Sequence, residues 1–321
     1  MRILVTGGSG FIGTNLIENL AQVSASILNI DKSAPRNREH QRYWKKCNIL
    51  DKPQMASLIG EFQPTHVVHL AAKTGVYETS AEEFIDNTQG TSNLLEVLKP
   101  LSRLKRVIFT STLLVCKMGY IPQHETDYSP STAYGKSKVE MEKIIRREKE
   151  LPFEWVIIRP ISIWGPWFRE PYKNFFEAIE CGWYFHIGGG HYKRSLGYVE
   201  NAIFQIEKLL AAESALVNKK TFYVADETSL DLYDLANEIA NQLGREPIRH
   251  LPYVLIKLMA WLGDVLLAIG YKRFPMSSFR LKNILTEYVY DLTPTSNITG
   301  PAPYNYREGV HRTLKWLKQG A

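Results

Sequence analysis

Residues 2–13 read RILVTGGSGFIG, a short apolar run followed by three glycines, Gly7, Gly10 and Gly13. A helical pattern of apolar residues begins after the last glycine and continues through Leu20. Glycines between a strand and a helix let the backbone turn tightly and approach a pyrophosphate, which the helix N-terminus then binds through its free N–H groups. The stretch therefore predicts a dinucleotide-binding loop, and an ordinary tight turn is the alternative.

Asp31 ends a second apolar run, at residues 26–31. It lies close to the ~20-residue distance at which such folds place the acid that holds the adenosine ribose. A carboxylate there accepts hydrogen bonds from ribose hydroxyls and repels a 2′-phosphate, so it favours NAD over NADP. The alternative, NADP, stays open because basic residues that could neutralise the phosphate follow closely: Lys32, Arg36, Arg38, Arg42, Lys45 and Lys46.

Apolar runs and helical patterns alternate through the first half of the chain. Further apolar runs occupy residues 66–71, 106–111 and 154–161, and helical patterns occupy residues 53–61, 81–99 and 131–149. This order predicts an α/β fold with a Rossmann-type, doubly wound parallel sheet. After residue 165 aromatic residues, Gly and Pro become frequent. We therefore expect a cofactor-binding domain at 1–165 and, at 166–321, mainly a smaller substrate-binding lobe with some segments returning to the sheet.

The composition of the chain indicates which classes of protein and which kinds of ligand site to expect. The chain has 321 residues, 22% of them charged, and a net charge of +6. Its three cysteines form no Cys-x-x-Cys pair or Cys/His cluster, which predicts neither a disulfide framework nor a metal site and fits a reducing cytoplasm. The N-terminus does not read as a signal peptide. No nucleic-acid recognition motif accompanies the positive charge, so a nucleic-acid partner is not expected.

Residues 251–271 read LPYVLIKLMAWLGDVLLAIGY, an apolar stretch interrupted by Lys257 and Asp264. A membrane span tolerates such charges poorly. The favoured interpretation is a buried or lid helix. The alternative is a helix at 251–273 that lies on a membrane surface, with Lys272 and Arg273 beside it.

Tyr134 and Lys138 stand four residues apart in AYGKSK, and a helix would place both on one face. An ammonium and an oxidised nicotinamide would stabilise the phenolate and lower the pKa of the tyrosine towards neutrality, so that it acts as a general acid or base. Thr112 ends the run FTST at the carboxyl edge of the predicted sheet, where its hydroxyl can bind the substrate oxygen. An exposed Tyr/Lys pair without function is the alternative.

These motifs, with HLAA at 69–72 and RPISIWGP at 159–166, resemble the extended short-chain dehydrogenase/reductases, and within them the nucleotide-sugar epimerase/dehydratase group. The resemblance spans nearly the whole chain. It implies a catalytic triad of Thr112, Tyr134 and Lys138 with a tightly held NAD, or NADP as the alternative. The cofactor contacts that it implies are Gly7, Gly10, Phe11, Ile12, Gly13, Asp31, Asn48, Ile49, Leu70, Ala71, Ala72, Lys73, Asn87, Thr110, Tyr134, Lys138 and Pro160.

The resemblance also implies a nucleotide-sugar substrate. Asn174 would touch its diphosphate and Arg194 would clamp it, a role that suits the planar fork of a guanidinium. The full set of implied substrate contacts is Lys73, Thr112, Tyr134, Ser162, Asn174 and Arg194.

Three departures from the family pattern bear on the reaction. Ser162 stands where many relatives have asparagine, and Cys116 replaces a tyrosine. Leu113 and Leu114 occupy the positions where dehydratases carry an acidic pair, so a 4,6-dehydratase is not favoured.

We therefore expect an NAD-dependent sugar-nucleotide epimerase that oxidises a sugar carbon, C4, transiently. One alternative is a keto-sugar reductase or a 3β-hydroxysteroid-like dehydrogenase, because the apolar stretch at 251–271 also resembles that of hydroxysteroid dehydrogenases. The other alternative is a non-enzymatic dinucleotide sensor. The resemblance further implies a homodimer, formed as a four-helix bundle by the helices near 85–99 and 131–148.

Overall fold

A computed structural model describes residues 1–23, 26–75, 80, 82–189, 191–271, 274 and 276–319. The strands are β1 (Arg2–Thr6), β2 (Ser26–Asp31), β3 (Trp44–Lys46), β4 (His66–His69), β5 (Arg106–Thr110), β6 (Glu154–Pro160), β7 (Ile163–Trp164), β8 (His186–Ile187), β9 (Lys193–Arg194), β10 (Gly197–Tyr198), β11 (Lys220–Val224), β12 (Leu230–Asp231) and β13 (His250–Leu251).

The α-helices are α1 (Phe11–Gln22), α2 (Lys52–Phe62), α3 (Ile85–Leu98), α4 (Ala133–Arg147), α5 (Tyr172–Glu180), α6 (Val199–Ala211), α7 (Ser214–Val217), α8 (Leu232–Gln242), α9 (Tyr253–Ala268), α10 (Ser278–Leu285), α11 (Thr293–Thr299) and α12 (Tyr306–Lys318). Short 3₁₀ turns occupy Arg38–Tyr43, Glu82–Phe84 and Leu113–Val115.

Seven parallel strands form the central sheet in the order β3-β2-β1-β4-β5-β6-β11. The order reverses between β1 and β4, so the connections on the two sides of this point run in opposite directions. In open parallel sheets this reversal opens a crevice at the carboxyl ends of the strands, where ligands bind. The α/β, Rossmann-type fold class predicted from the sequence is confirmed.

Both faces of the sheet are covered by helices, which explains the unalternating apolar strands. In β4, Val67 belongs to the core under α2, α3 and α4, whereas the next residue, Val68, belongs to the core under α1 and α6. Val107 and Ile108 of β5 divide between the two faces in the same way. Successive side chains of a strand point to opposite faces, so a strand buried on both sides is apolar throughout.

The second half of the chain contributes to the sheet and also forms a separate cluster. β11 pairs with β6, with Phe222 opposite Ile158, and α6 packs on the sheet. Helices α5, α8 and α12 surround a different apolar core around Trp164 and Tyr198. The lobe therefore sits beside the carboxyl ends of β6 and β11, next to the crevice.

Helix α9 differs from the favoured expectation for residues 251–271. Its buried residues are Ile256, Ala260 and Gly263, a single stripe that packs against α10. The interpretation of α9 as a buried helix is wrong, because α10 covers one side of it and the opposite side is exposed. Among the described residues, no helix combines the length and apolarity needed to cross a membrane. Lys272 and Arg273 lie outside the described residues.

Candidate active site

The glycine loop lies between β1 and α1, at the point where the strand order reverses. Gly7 has φ +74°, and a Cβ there would collide with the backbone of Ala71. A Cβ on Gly13 would collide with the backbone of Gly7 and Gly8. Only glycine fits this close approach of three backbone segments, which leaves the first turn of α1 open towards the crevice.

Asp31, at the end of β2, holds the glycine loop with its carboxylate. Ser9 N donates to one carboxylate oxygen at 3.0 Å and Ser33 N donates to the other at 2.8 Å. Burial raises the pKa of Asp31, and the two backbone hydrogen bonds oppose that rise. Each oxygen keeps a lone pair, so the carboxylate can still accept hydrogen bonds from a ribose.

Tyr134 and Thr112 meet beside the carboxyl end of β5. Thr132 caps α4 by accepting a hydrogen bond from Gly135 N at 3.0 Å, so Tyr134 lies in the first turn of the helix. A Cβ on Gly135 would collide with the Leu114 carbonyl oxygen, so glycine lets the helix approach the Thr112 turn. Burial raises the pKa of Tyr134 to about 12, and its hydrogen bond with Thr112 lowers it in part. The pKa of Tyr134 is therefore raised overall, opposite to the lowering towards neutrality that the sequence predicts.

Lys138 lies one turn after Tyr134 and is almost completely buried. Its Nζ donates to the Thr110 carbonyl oxygen at 2.8 Å. Burial lowers the pKa of Lys138 to about 7, and Glu142 counteracts this in part. A lysine with this pKa changes its charge near neutral pH, which is typical of functional sites.

A cleft of about 550 Å³ joins the glycine loop to Tyr134 and Lys138. It is lined by every predicted cofactor contact except Lys73 and Asn87, and Thr112 of the triad lines it as well. Of the basic residues after Asp31, Lys32 and Arg36 line the cleft. The Lys32 ammonium also forms an ion pair with the Asp86 carboxylate at 2.7 Å.

Lys73 and Asn87 lie behind the cleft wall. Asn87 Oδ1 accepts a hydrogen bond from Lys73 N at 2.8 Å, and Asn87 Nδ2 donates to the Lys73 carbonyl oxygen at 3.0 Å. The Lys73 ammonium pairs with Glu83 at 3.2 Å. Asn87 therefore holds the loop that follows β4, whose residues Leu70 to Ala72 line the cleft.

Two of the remaining predicted substrate residues, Ser162 and Arg194, meet at Tyr288. Ser162 hydrogen-bonds the Tyr288 hydroxyl at 2.9 Å, and the Arg194 guanidinium lies 5.1 Å from the centre of the Tyr288 ring. Arg194 also donates to the carbonyl oxygens of Asn283 and Ile284 in α10, and its buried Nε has no partner within the described part of the chain. Asn174 is exposed on α5.

Several cleft residues were not among the predicted cofactor contacts, although the sequence marked Lys32 and Arg36 as possible partners of a 2′-phosphate. They are Ser9, Ile30, Lys32, Ser33, Ala34, Arg36, Cys47, Thr74, Asp86, Ser111, Arg169 and Glu170. Burial lowers the pKa of Arg36, and the nearby charge of Arg169 lowers it further. Ser111 could have been found from its place in FTST, but Arg169 stands in a loop with no motif that announces it.

The cleft fits a dinucleotide. Side chains on the glycine loop would fill it, and the guanidinium groups of Arg36 and Arg169 supply positive charge for phosphates. The hydroxyls of Thr110 and Ser111 are buried at the cleft and have no hydrogen-bond partner among the described residues. Buried hydroxyls without partners are unfavourable, and a bound polar ligand would satisfy them.

Comparisons with known proteins agree with this site. The model of the NAD dependent epimerase/dehydratase family matches residues 3–225. The N-acetyl-alpha-D-glucosaminyl-diphospho-ditrans,octacis-undecaprenol 4-epimerase of Escherichia coli O157:H7 is 28% identical over 319 residues, covering 98% of this chain and 94% of that protein. The UDP-glucose 4-epimerase of Vibrio cholerae is 29% identical over 266 residues, covering 78% of each chain.

A solved structure shares the fold along the full chain. The UDP-glucose 4-epimerase of Thermus thermophilus, in complex with NAD, superimposes with a TM-score of 0.74 at 21% identity, covering 100% of both chains. The family match includes the glycine loop, Asp31, Thr112, Tyr134 and Lys138. The chain therefore belongs to the NAD-dependent epimerase/dehydratase family and is an NAD-dependent enzyme of the extended short-chain dehydrogenase/reductase type.

Proposed function

We propose that the protein is a 4-epimerase of a sugar whose anomeric carbon carries a diphosphate, and that it oxidises C4 transiently. The observation that carries the proposal is the arrangement of Thr112, Tyr134 and Lys138 around one end of the cleft that begins at the glycine loop. Leu113 and Leu114 stand where a dehydratase needs an acid and a base, so the same site lacks the groups for loss of water.

Tyr134 is the proposed general acid and base. Its phenol oxygen would take the proton of the C4 hydroxyl and later return it, while Thr112 hydrogen-bonds the same sugar oxygen. Lys138, held by the Thr110 carbonyl, would stabilise the phenolate with its ammonium. The chemistry that bound NAD would supply is hydride acceptance from C4 and hydride return to the opposite face of the ketone.

The cofactor would be held by the groups that surround the glycine loop. The N–H groups at the start of α1 suit the pyrophosphate, the Asp31 carboxylate suits the adenosine ribose, and Asn48 suits the adenine. A carboxylate at the position of Asp31 is compatible with NAD, which is the cofactor of the family. An epimerase regains its oxidised cofactor in every cycle, so a tightly held NAD suits the reaction.

Two carriers of the sugar diphosphate are candidates. The Vibrio cholerae relative acts on UDP-glucose, so a nucleotide sugar is the first. The Escherichia coli relative acts on a sugar linked to undecaprenol through a diphosphate, and the exposed apolar side of α9 favours this second candidate. Arg194, with its free buried Nε, is the proposed diphosphate clamp in both cases.

The proposal is tested by supplying purified protein with UDP-sugars and polyprenyl-diphosphate sugars and identifying the products. We expect the C4 epimer to accumulate while the absorbance of reduced nicotinamide stays constant. Steady consumption or production of reduced nicotinamide would instead indicate a reductase or dehydrogenase. Absence of turnover on every substrate, together with retained NAD, would support the dinucleotide sensor.

We also propose a homodimer in the cytoplasm. Cys47, Cys116 and Cys181 are free thiols, which suits a reducing compartment. The dimer rests on the family resemblance, and helices α3 and α4 are its proposed interface. Their outward side chains include Gln89, Glu96 and Lys136, so the interface would be polar. Sedimentation equilibrium would measure the mass, and a monomer at all concentrations would contradict the dimer.

A further inference from the structure

The most exposed apolar surface of the described chain lies on α9. Val254, Leu258, Trp261 and Val265 are between 41% and 68% exposed. Their spacing places them in one stripe along the helix, opposite the stripe of Ile256, Ala260 and Gly263 that packs on α10. Contiguous apolar patches of this kind mark interaction surfaces in proteins.

The two helices form a unit with a defined geometry. Asp264 accepts a hydrogen bond from Ser278 N at 3.0 Å, so the acidic side chain of α9 fixes the first turn of α10. Leu281 of α10 packs against Ile256 and Ala260. We refer to residues 249–285 as the α9–α10 hairpin. With 16 residues, α9 is about 24 Å long, and its apolar stripe runs along that length.

The charge of the hairpin identifies the kind of surface that would cover it. Residues 249–282 contain six basic residues, Arg249, Lys257, Lys272, Arg273, Arg280 and Lys282, and one acidic residue, Asp264. Lys257 and Lys282 are exposed. Basic side chains beside an exposed stripe of Leu, Val and Trp are typical of helices that lie in the plane of an anionic membrane surface.

Aromatic residues strengthen this assignment. Trp261 is 65% exposed, and Tyr253 and Tyr271 stand near the two ends of the helix with about half of their surfaces exposed. Tryptophan and tyrosine are enriched where a protein meets the headgroup region of a bilayer, because their rings are apolar at one end and polar at the other.

The hairpin is connected to the candidate diphosphate clamp. The Arg194 guanidinium donates to the carbonyl oxygens of Asn283 and Ile284 at the end of α10. The same side chain lies against Tyr288, whose hydroxyl bonds Ser162, two residues after the cleft residue Pro160. The hairpin and the candidate diphosphate clamp are therefore joined through the end of α10.

We propose that the α9–α10 hairpin docks on an anionic lipid bilayer, with the Val254, Leu258, Trp261 and Val265 stripe inserted among the headgroups. The hairpin would bring the cleft to a sugar diphosphate whose carrier stays in the membrane. The part of the inference that concerns the substrate rests on the proposed function, whereas the docking surface stands on the exposure and charge of the hairpin.

Binding to the bilayer is measured by cosedimentation with phosphatidylcholine vesicles that contain or lack phosphatidylglycerol. We expect the wild type to bind the anionic vesicles, and to bind less at high salt because the charges are screened. The variant V254E/L258E/W261E should bind them at least roughly tenfold more weakly. The affinity of the variant K257E/K282E for the anionic vesicles should fall by roughly fivefold or more for each charge that is changed.

Matched controls separate docking from folding. V23E/L216E introduces glutamates at exposed apolar positions outside the hairpin and should bind like the wild type. Circular dichroism should show the same helix content for all variants. A wild type that stays in the supernatant with anionic vesicles would overturn the proposal. A wild-type dimer that V254E/L258E/W261E converts to a monomer, without vesicle binding, would overturn it in favour of a contact between copies of the chain.

Activity distinguishes the two proposals. The triple variant should keep the wild-type rate on a soluble UDP-sugar, if the protein accepts one, and should lose rate on a polyprenyl-diphosphate sugar embedded in vesicles. Failure of the 4-epimerase proposal would appear as no turnover on either substrate while vesicle binding persists. Equal rates of the wild type and the triple variant on the embedded substrate would overturn the role of the hairpin in substrate access.

Discussion

Asn87 Nδ2 donates a hydrogen bond to Ser137 Oγ at 2.9 Å, and Ser137 Oγ donates in turn to the Tyr134 carbonyl oxygen at 2.7 Å. Asn87 is completely buried, and its amide also holds Lys73 at both backbone groups. It therefore joins the loop after β4, which lines the cofactor cleft, to the helical turn that carries the candidate general base. This relationship makes Asn87 a positioning residue.

Replacement of Asn87 by alanine should lower kcat more than it raises KM. Loss of its hydrogen bonds leaves buried groups of Lys73 and Ser137 unsatisfied, at a cost of about 1–3 kcal/mol in the free energy of unfolding. Steady-state kinetics and thermal unfolding check this. N201A is the control, because Asn201 is equally buried and bonds Asp226 and the Tyr304 backbone away from Tyr134. If both variants lose stability but neither loses kcat, Asn87 has only a structural role.

Replacement of Tyr134 by phenylalanine should lower turnover by roughly 10²–10⁴-fold, because it removes the proposed general acid and base. The ring remains to pack against Phe84, so NAD should still bind and the protein should stay folded. Product formation and the NAD content of purified protein are the measurements. Y120F, which removes a hydroxyl bonded to Asp127, is the control and should turn over normally. Unchanged turnover in Y134F would remove Tyr134 from the mechanism.

Lys138 should make stability depend on pH in a defined direction. Burial lowers its pKa to about 7 in the folded protein, from an ordinary value of 10.5. Between these values the unfolded chain binds a proton that the folded protein has lost, so the contribution of Lys138 to stability rises with pH. The scan should stop near pH 10, because the raised pKa of Tyr134 has the opposite effect above the ordinary tyrosine value.

The measurement is thermal unfolding of wild type and K138M from pH 6 to pH 10. The stability of the wild type relative to K138M should increase with pH above about 7. K315M, at an exposed position of α12 outside the proposed dimer interface, should follow the wild type. A difference between wild type and K138M that stays constant or decreases would show that the Lys138 ammonium is not destabilised by burial.

Replacement of Asp31 by asparagine should weaken NAD binding by roughly tenfold or more and improve NADP binding. A hydrogen bond to a charged group is worth about 1.5–3 kcal/mol, and the carboxylate that repels a 2′-phosphate is removed. Lys32 and Arg36, which line the cleft, would then face that phosphate. Calorimetry with both cofactors gives the ratio of dissociation constants, with E39Q as the control. An unchanged ratio would contradict the role of Asp31.

Local patterns were sufficient to predict the sheet and the glycine loop. β1, β2 and α1 follow from RILVTGGSGFIG and the run that ends at Asp31, because each signal lies within the element that it specifies. The role of Asn87 was not predictable in detail, because its partners Lys73 and Ser137 are 14 and 50 residues away along the chain. The same holds for Arg169, which reaches the cleft from a loop. The expectation that α9 is buried was wrong because an apolar stretch predicts burial without showing what covers it.

The proposed reaction oxidises C4 and then reduces it again within one bound complex. A substrate that carries deuterium at C4 tests this proposal when it is incubated with the protein and analysed by mass spectrometry and NMR. We expect the epimer to retain deuterium at C4 and the solvent and free cofactor to acquire none. Loss of the label to water, or appearance of solvent hydrogen at C4 of the epimer, would contradict it.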